Sequence, residues 1–77
     1  MTVTAYVLIQ QEVGKRDIAK QVRAIDGVTS AADVTGPYDV IALVEAGSMD
    51  DLGRKVVSQI QMIEGITRTV TCPVMNL

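Results

Sequence analysis

The sequence contains an internal repeat, and this repeat limits the folds open to the chain more than any other feature. The segment Ile25-Asp-Gly-Val-Thr29 returns 38 residues later as Ile63-Glu-Gly-Ile-Thr67, and Gln21-Val22 returns as Gln59-Ile60. In both copies an acidic residue and a glycine separate an apolar stripe of helical spacing from a β-branched run. That pattern is typical of a helix that ends and a strand that begins. Two such units give the order β-α-β-β-α-β.

Apolar spacing sets the expected limits of the six elements. Strands are predicted over residues 3–10, 28–35, 38–46 and 66–74, and helices over 15–25 and 48–63. Ser48 and Asp51, three residues apart, form the capping box that begins the second helix. Pro73 cannot donate to a ladder, so we expect strand pairing to fail near it. The helical stripes consist of Ile18, Ala19, Val22 and Ile25 in the first helix and Leu52, Val56, Ile60 and Ile63 in the second.

This order of elements predicts an α+β fold, a ferredoxin-like βαββαβ sandwich that forms a single domain over residues 1–77. Right-handed crossovers place both helices on one face of a four-stranded antiparallel sheet and leave the other face bare. Apolar residues such as Tyr6 and Leu8 alternate onto one face of the first strand, and an exposed apolar patch marks an interaction surface. We therefore expect two copies to pack sheet against sheet, as in a dimeric α/β barrel.

Length and cysteine content also favour assembly. A chain of 77 residues buries too little surface to be more than marginally stable by itself. One cysteine excludes an internal disulfide, and one thiol without any histidine leaves no metal cage. We expect no metal and no cofactor, and we expect a partner chain to supply the missing stability.

Charge and aromatic content argue against nucleic acid as a partner, and the length of the first apolar segment argues against a membrane. Seven Lys and Arg residues stand against nine Asp and Glu residues, a balance that disfavours direct binding to nucleic acid. Two tyrosines without Phe or Trp are too few for a base-stacking sheet. The apolar segment 3–9 is too short to span a bilayer and lacks a basic leader, so we expect no membrane contact and a cytoplasmic protein.

Catalytic groups are sparse. The commonest general base is missing because the chain has no histidine. The adjacent pair Asp50-Asp51 suits the positive end of a helix better than acid–base work. We therefore expect no enzymatic activity. An alternative is a small enzyme of the dimeric α/β-barrel type, whose acid, base or nucleophile would have to come from Asp33, Asp39, Glu45 or Cys72.

The stretch between the second and third predicted strands concentrates polar groups beside apolar strand. Only Gly36 and Pro37 separate the two runs, so the strands are antiparallel neighbours. The turn leaves backbone groups of Thr35 and Gly36 free, next to the phenol of Tyr38 and the carboxylate of Asp39. The structural alternatives are that Gly36 only makes the turn and that Asp39 bonds a nearby backbone N–H.

These residues carry a family resemblance. The run Thr35-Gly-Pro-Tyr-Asp-Val-Ile41, followed later by Ile63-Glu-Gly-Ile-Thr-Arg-Thr69, resembles the effector-binding domain of the Lrp/AsnC regulators, called RAM. The resemblance covers essentially the whole chain. The helix-turn-helix of that family has no counterpart in front of the first strand, so we expect a protein similar to a stand-alone RAM domain that does not bind DNA directly.

The resemblance implies a site and an assembly. It implies that two subunits pack sheet against sheet, that dimers associate into rings, commonly octamers, and that an amino acid binds between subunits. Pro37 is a departure that removes one possible carboxylate donor. The ligand-binding residues implied are Thr35, Gly36, Pro37, Tyr38 and Asp39 in the turn, with Thr67, Thr69 and Thr71 as candidates for the facing wall. A second hypothesis is an adaptor that mixes with full-length Lrp/AsnC regulators and has no ligand of its own.

Overall fold

The computed structural model describes residues 2–75, and it confirms the expected ferredoxin-like sandwich. Four antiparallel strands form one sheet in the order β2-β3-β1-β4, with the helical segments packed against it. The strands are β1 (Val3–Gln11), β2 (Val28–Asp33), β3 (Val40–Ala46) and β4 (Ile66–Pro73). The helices are α1 (Ile18–Arg23), α2 (Met49–Asp51), a π-helical stretch (Leu52–Val57) and α3 (Ser58–Gln61).

One face of the sheet carries the core. Alternate residues of the two central strands β1 and β3 are fully buried there, and both predicted helical stripes pack on them. Because strand side chains alternate between faces, the same two strands can bury one set of residues and expose the next. The core consists of Ala5, Val7, Ile9, Ala31, Val40, Ala42 and Val44 from the sheet and Ile18, Ala19, Val22, Leu52, Val56, Val57 and Ile60 from the helical segments.

The turn between β2 and β3 is longer than predicted. We expected strands to residue 35 and from residue 38, but β2 ends at Asp33 and β3 begins at Val40. The N–H of Val34 donates to the carbonyl of Asp39 at 2.9 Å and closes a loop over residues 34–39. Gly36, at φ 134°, bends the chain inside this loop, which is a backbone region that favours glycine.

The first helix is shorter than predicted, six residues instead of residues 15–25. Asp17 precedes it at φ 62°, a left-handed conformation that a helix cannot continue through, so α1 begins at Ile18. At the other end the N–H of Ile25 donates to the carbonyl of Val22, three residues back, so the last turn is no longer α-helical.

The second helical segment runs over residues 49–61 and contains a feature that the sequence pattern did not reveal. The Oγ of Ser48 accepts a hydrogen bond from the N–H of Asp51 at 3.1 Å, which confirms the predicted N-cap. Residues 52–57 then widen into a π-helix, in which the N–H of Ser58 reaches back to the carbonyl of Gly53. The segment ends at Gln61, two residues before the predicted end.

β4 and its pairing with β1 end at Pro73, where we expected pairing to fail, one residue before the predicted end of the strand. Pro73 stands opposite Ala5, and the N–H of the next residue, Val74, donates to the carbonyl of Thr4 at 2.9 Å. Since Thr4 and Val74 form a hydrogen-bonded pair, the alternation of an antiparallel ladder turns the nitrogen of Pro73 outward. Because β4 is an edge strand, the missing donor costs no ladder bond.

Within residues 2–75 we find no helix that is both long and apolar enough to cross a membrane.

Candidate functional site

The face of the sheet that the helices do not cover, here called the open face, has an apolar centre. Tyr6 stands opposite Leu43 on β3 and Cys72 on β4, and Leu8 stands opposite Ile41 and Val70. Directly opposed residues share a face, so these six side chains form two apolar rows across three strands. Tyr6 is 48% exposed, and Leu8, Ile41 and Leu43 are half-buried in the single chain. The centre of the open face therefore has apolar surface that a second molecule could cover.

Polar rows lie at both ends of the open face. At one end Thr4 stands opposite Glu45. At the other end Gln10 stands opposite Arg68 on β4, while Asp39 comes directly before the first residue of β3, Val40. Asp39 lies in the bend before β3, so strand alternation does not assign its side chain to a face. A carboxylate and a guanidinium therefore lie at the same end of the sheet, separated by β1.

The turn over residues 34–39 is fixed to β1 by three hydrogen bonds. The Oδ2 of Asp39 accepts from the N–H of Gln11 at 2.9 Å, and the N–H of Asp39 donates to the carbonyl of Ile9 at 2.9 Å. The Nε2 of Gln10 donates to the carbonyl of Pro37 at 2.8 Å. The carboxylate of Asp39 therefore has a structural role, and it bonds the backbone of β1 rather than that of its own turn.

Thr35, Gly36 and Pro37 are exposed at the tip of this turn, and Tyr38 is half-buried. A Cβ built on Gly36 would meet no atom within 4 Å, so the space beside the turn is open. Across the part of the chain that the structure describes, the N–H groups of Thr35 and Gly36 make no hydrogen bond. The turn therefore presents two backbone donors to solvent beside a held carboxylate, which together suit a molecule with a negative and a positive group.

The predicted threonines lie on β4, on the far side of β1 from the turn. Thr69 stands opposite Ile9 and Thr71 opposite Val7, so both occupy the helix-side face. Thr67 falls in a shift of register between Gln10 and Gln11. The hydroxyl of Thr69 accepts from the Nε2 of Gln61 at 2.9 Å. Gln61, Ile66, Thr67, Arg68 and Thr69 line an open cleft of about 240 Å³.

The sequence analysis did not identify three glutamines, two of which contact the turn and one of which contacts β4. Gln10 and Gln11 hold the turn, and Gln61 bonds Thr69, but no local pattern marks a glutamine as a cross-strand contact. Arg68 left a signal, since it interrupts the apolar alternation of the last strand. An interruption of that kind indicates that one position on an otherwise apolar face has a polar role.

The residues considered for catalysis are dispersed. Asp33 stands opposite Val40 at the sheet edge, while Glu45 lies at the opposite end of β3 from Asp39. Cys72 is a free, exposed thiol on β4. Among residues 2–75 there is no group of three His, Cys, Asp or Glu side chains that could hold a metal ion.

A family model described as the Lrp/AsnC ligand binding domain matches residues 4–77 of the chain. Among curated proteins, the chain is 32% identical over 72 residues to an uncharacterized HTH-type transcriptional regulator, PH1916, of Pyrococcus horikoshii. The match covers 88% of the chain and 48% of that regulator, so the chain spans about half the length of the curated relatives it matches.

Solved structures share the fold over nearly the whole chain. TTHA0845 from Thermus thermophilus superposes with a TM-score of 0.88 at 30% identity, over 97% of this chain and 95% of that one. FFRP-DM1 gives a TM-score of 0.85 at 30% identity, over 95% and 99%. The transcriptional regulator NMB0573 of Neisseria meningitidis, solved as a complex with L-Met, gives 0.83 at 19% identity, over 96% and 50%.

Proposed function

Because this chain belongs to the Lrp/AsnC ligand-binding domain family, we propose that it is a non-enzymatic protein that binds an amino acid at contacts between its own copies. The observation that carries the proposal is the turn over residues 34–39. It combines a carboxylate and two unbonded backbone N–H groups at one end of an uncovered apolar face. A site between subunits is a common place for a small polar ligand.

The chemistry of a zwitterion fits this turn. The ammonium group needs acceptors, and the carboxylate of Asp39, which uses Oδ2 for the N–H of Gln11, has Oδ1 left for a ligand. The ligand carboxylate needs donors, and the backbone N–H groups of Thr35 and Gly36 supply them. Pro37 supplies none, so its neighbours and Tyr38 complete the binding residues of the turn.

The second wall of the pocket comes from another copy. Within one chain β1 separates the turn from β4 by two strand spacings, about 10 Å, so Thr67, Thr69 and Thr71 cannot close over a small ligand held at the turn. The cleft beside Thr67 and Thr69 lies at the edge strand β4, and Gln61 of α3 also lines it. We propose that this edge takes part in contacts between dimers, as in the octameric rings that the family resemblance implies.

Binding would act on assembly by mass action. A ligand that occupies a pocket between subunits binds the assembled form and not the separated chains, so it stabilises the assembly. The stabilisation at a free ligand concentration one hundred times Kd is about 2.7 kcal/mol. The proposed biological role is therefore to convert the concentration of an amino acid into a change of assembly.

Thermal unfolding in the presence of single amino acids tests the proposal. L-methionine is the first probe, because it occupies the complex of the Neisseria meningitidis regulator; the other standard amino acids follow at millimolar concentration. At least one should raise Tm. If none does so and none binds by calorimetry, the proposal is wrong.

A charge-removing variant shows whether the turn holds the ligand. Asp39→Asn keeps an acceptor for the N–H of Gln11 but removes the negative charge, so it should abolish the ligand-dependent rise in Tm and leave the fold intact. Asp33→Asn is the matched control, since Asp33 is an exposed carboxylate at the edge of β2 outside the turn. An unchanged ligand response in Asp39→Asn would place the ligand elsewhere.

The second candidate function is an adaptor that mixes with longer regulators. It is favoured by the family match and by the HTH-type transcriptional regulators among the curated relatives of the chain. Co-purification of this chain with a helix-turn-helix relative from the same cells would support the adaptor, and assembly with copies of itself alone would oppose it.

A further inference from the structure

The two edge strands of the sheet differ in what covers their outer sides. β2 and β4 stand at the ends of the strand order, so each has backbone N–H and C=O groups that no strand of the same chain pairs. At β2 the Nη1 of Arg23, the last residue of α1, donates to the carbonyl oxygen of Ala31 at 2.7 Å. A charged side chain therefore occupies part of one edge.

The ladder shows that the carbonyl of Ala31 points away from the sheet. The N–H of Val34 donates to the carbonyl of Asp39, so in the register of β2 and β3 the backbone groups of residues 30 and 32 also face β3. Those of residues 31 and 33 alternate with them and face outward. An added strand would place a donor nitrogen about 2.9 Å from this carbonyl. The guanidinium of Arg23, at 2.7 Å, stands where that nitrogen would lie.

The outer side of β4 has free groups of the same kind. The N–H of Val74 donates to the carbonyl of Thr4, so alternation turns the N–H and C=O groups of Thr69 and Thr71 outward. Among the side-chain hydrogen bonds of residues 2–75, none reaches these backbone groups. Pro73, the next outward position, has no N–H, so the free segment is short.

The two edges are complementary to each other. Each neighbouring pair of strands is antiparallel, so β2 and β4 run in opposite directions. A second copy placed beside the first in the same orientation would set its β2 antiparallel to β4, with residues 31 and 33 opposite 71 and 69. All four residues lie on the helix-side face, as directly opposed residues must, because their partners on β3 and β1 belong to the core.

A contact of this kind would not close. It joins β2 of one copy to β4 of another, and every addition leaves one β2 edge and one β4 edge free for the next copy. Contacts between two different surfaces that do not close a ring produce open filaments. Native sheets avoid this outcome by placing charged side chains at their edges.

We propose that Arg23 prevents a second copy from adding to β2 and so prevents the sheet from growing edge to edge. Its guanidinium takes the place of the incoming donor at the carbonyl of Ala31. The β4 edge is left for the contacts between dimers proposed above. No amino acid is involved, so this inference and the proposed function are tested separately.

Substitution of Arg23 tests the proposal. Arg23→Met keeps an unbranched stem and removes the donors, so the folded variant should form species that grow with time in sedimentation velocity and appear as filaments in electron microscopy. Arg23→Lys keeps a charge and a donor and should form fewer filaments. Lys20→Met removes an exposed cation from the same helix and is the control; it should sediment as the wild type does.

Mixing with the wild type tests which edges join. A wild-type copy can add its β4 to the β2 of an Arg23→Met filament but presents a covered β2 of its own, so an excess of wild type should stop growth and shorten the filaments. Thr71→Pro in the wild-type background removes one outward donor of β4 and should stop growth less well. Proline at this position costs no ladder bond, as at Pro73 two residues on, and circular dichroism verifies the fold.

The result that supports the proposal is growth of Arg23→Met that excess wild type stops. If folded Arg23→Met sediments as the wild type does, the β2 edge is not what Arg23 protects and the proposal is wrong. Growth that wild-type copies do not stop would show that the filaments use other surfaces, which also overturns it. Loss of the fold in Arg23→Met would assign the contact with Ala31 to stability and overturn the proposal as well.

Discussion

The two faces of the sheet are made by the same strands and behave as different surfaces. On β1, Val7 and Ile9 are fully buried under the helices, while Tyr6 and Leu8, their neighbours in sequence, point to a face that the chain leaves partly exposed. The helix-side face is covered by the helical segments of the same chain. The open face has a polar row at each end, one with Glu45 and the other with Arg68. One alternating pattern of residues therefore encodes both the core and an apolar surface that the chain itself leaves uncovered.

A large-to-small substitution on each face should give the largest difference in stability between the two faces. Ile9→Ala removes buried volume on the helix side and should destabilise the fold by about 2–5 kcal/mol at every protein concentration. Leu8→Ala, its sequence neighbour on the open face, should lose stability that returns as the protein concentration rises, because its contacts form between copies. Chemical denaturation over a range of protein concentrations measures both. Equal losses that do not depend on concentration would show that the two faces are not distinct.

Alanine substitutions at two glycines with positive φ should show a smaller difference in stability between the helix side and the turn. Gly27, at φ 98°, lies on the helix side, where an added Cβ would stand 2.6 Å from Cγ2 of Val56 and 3.1 Å from the carbonyl of Glu45. Gly36, at φ 134°, has open space around it. Both alanine variants carry backbone strain, but only Gly27→Ala adds a clash, so it should be less stable than Gly36→Ala by about 1–3 kcal/mol. Differential scanning calorimetry of the pair checks this; a Gly36→Ala variant that is as unstable would imply hidden packing at the turn.

The smallest expected effect concerns the carboxylate that joins the turn to β1. Asp39→Ala leaves the N–H of Gln11 without its acceptor and should cost about 1–2 kcal/mol. Asp39→Asn keeps an acceptor oxygen and should cost less. Hydrogen exchange at Gln11 reports the change locally, and faster exchange in the alanine variant alone is the expected result. Equal exchange rates at the N–H of Gln11 in both variants would show that this hydrogen bond has no structural role.

Much of the fold could be predicted from the sequence because its signals are local and repeated. The Asp26-Gly27 and Glu64-Gly65 pairs lie in the turns that lead into β2 and β4, and both glycines have the positive φ that these turns use. The capping hydroxyl of Ser48 was also visible as a spacing. The register shift beside Gln11 and the π-helix over residues 52–57 depend on tertiary packing, for which no sequence period exists.

The candidate site could be predicted only in part. The turn was visible because Gly36 and Pro37 interrupt two apolar runs, but its true length depends on the bond between Val34 and Asp39. The prediction grouped the threonines of the last strand with the turn. The sheet order instead places β1 between them, a relation that is fixed by topology and not by composition.

The central claim is that a second copy covers the open face, and sedimentation equilibrium at micromolar concentration tests it most directly. The account predicts a dimer or a multiple of it for the wild-type protein, and dissociation for Leu8→Lys, which places a charge in the apolar rows. Gln21→Lys, at an exposed position of α1 on the helix side of the sheet, is the control and should assemble as the wild type does. A stable, fully folded single chain of 8.3 kDa under these conditions would contradict the account.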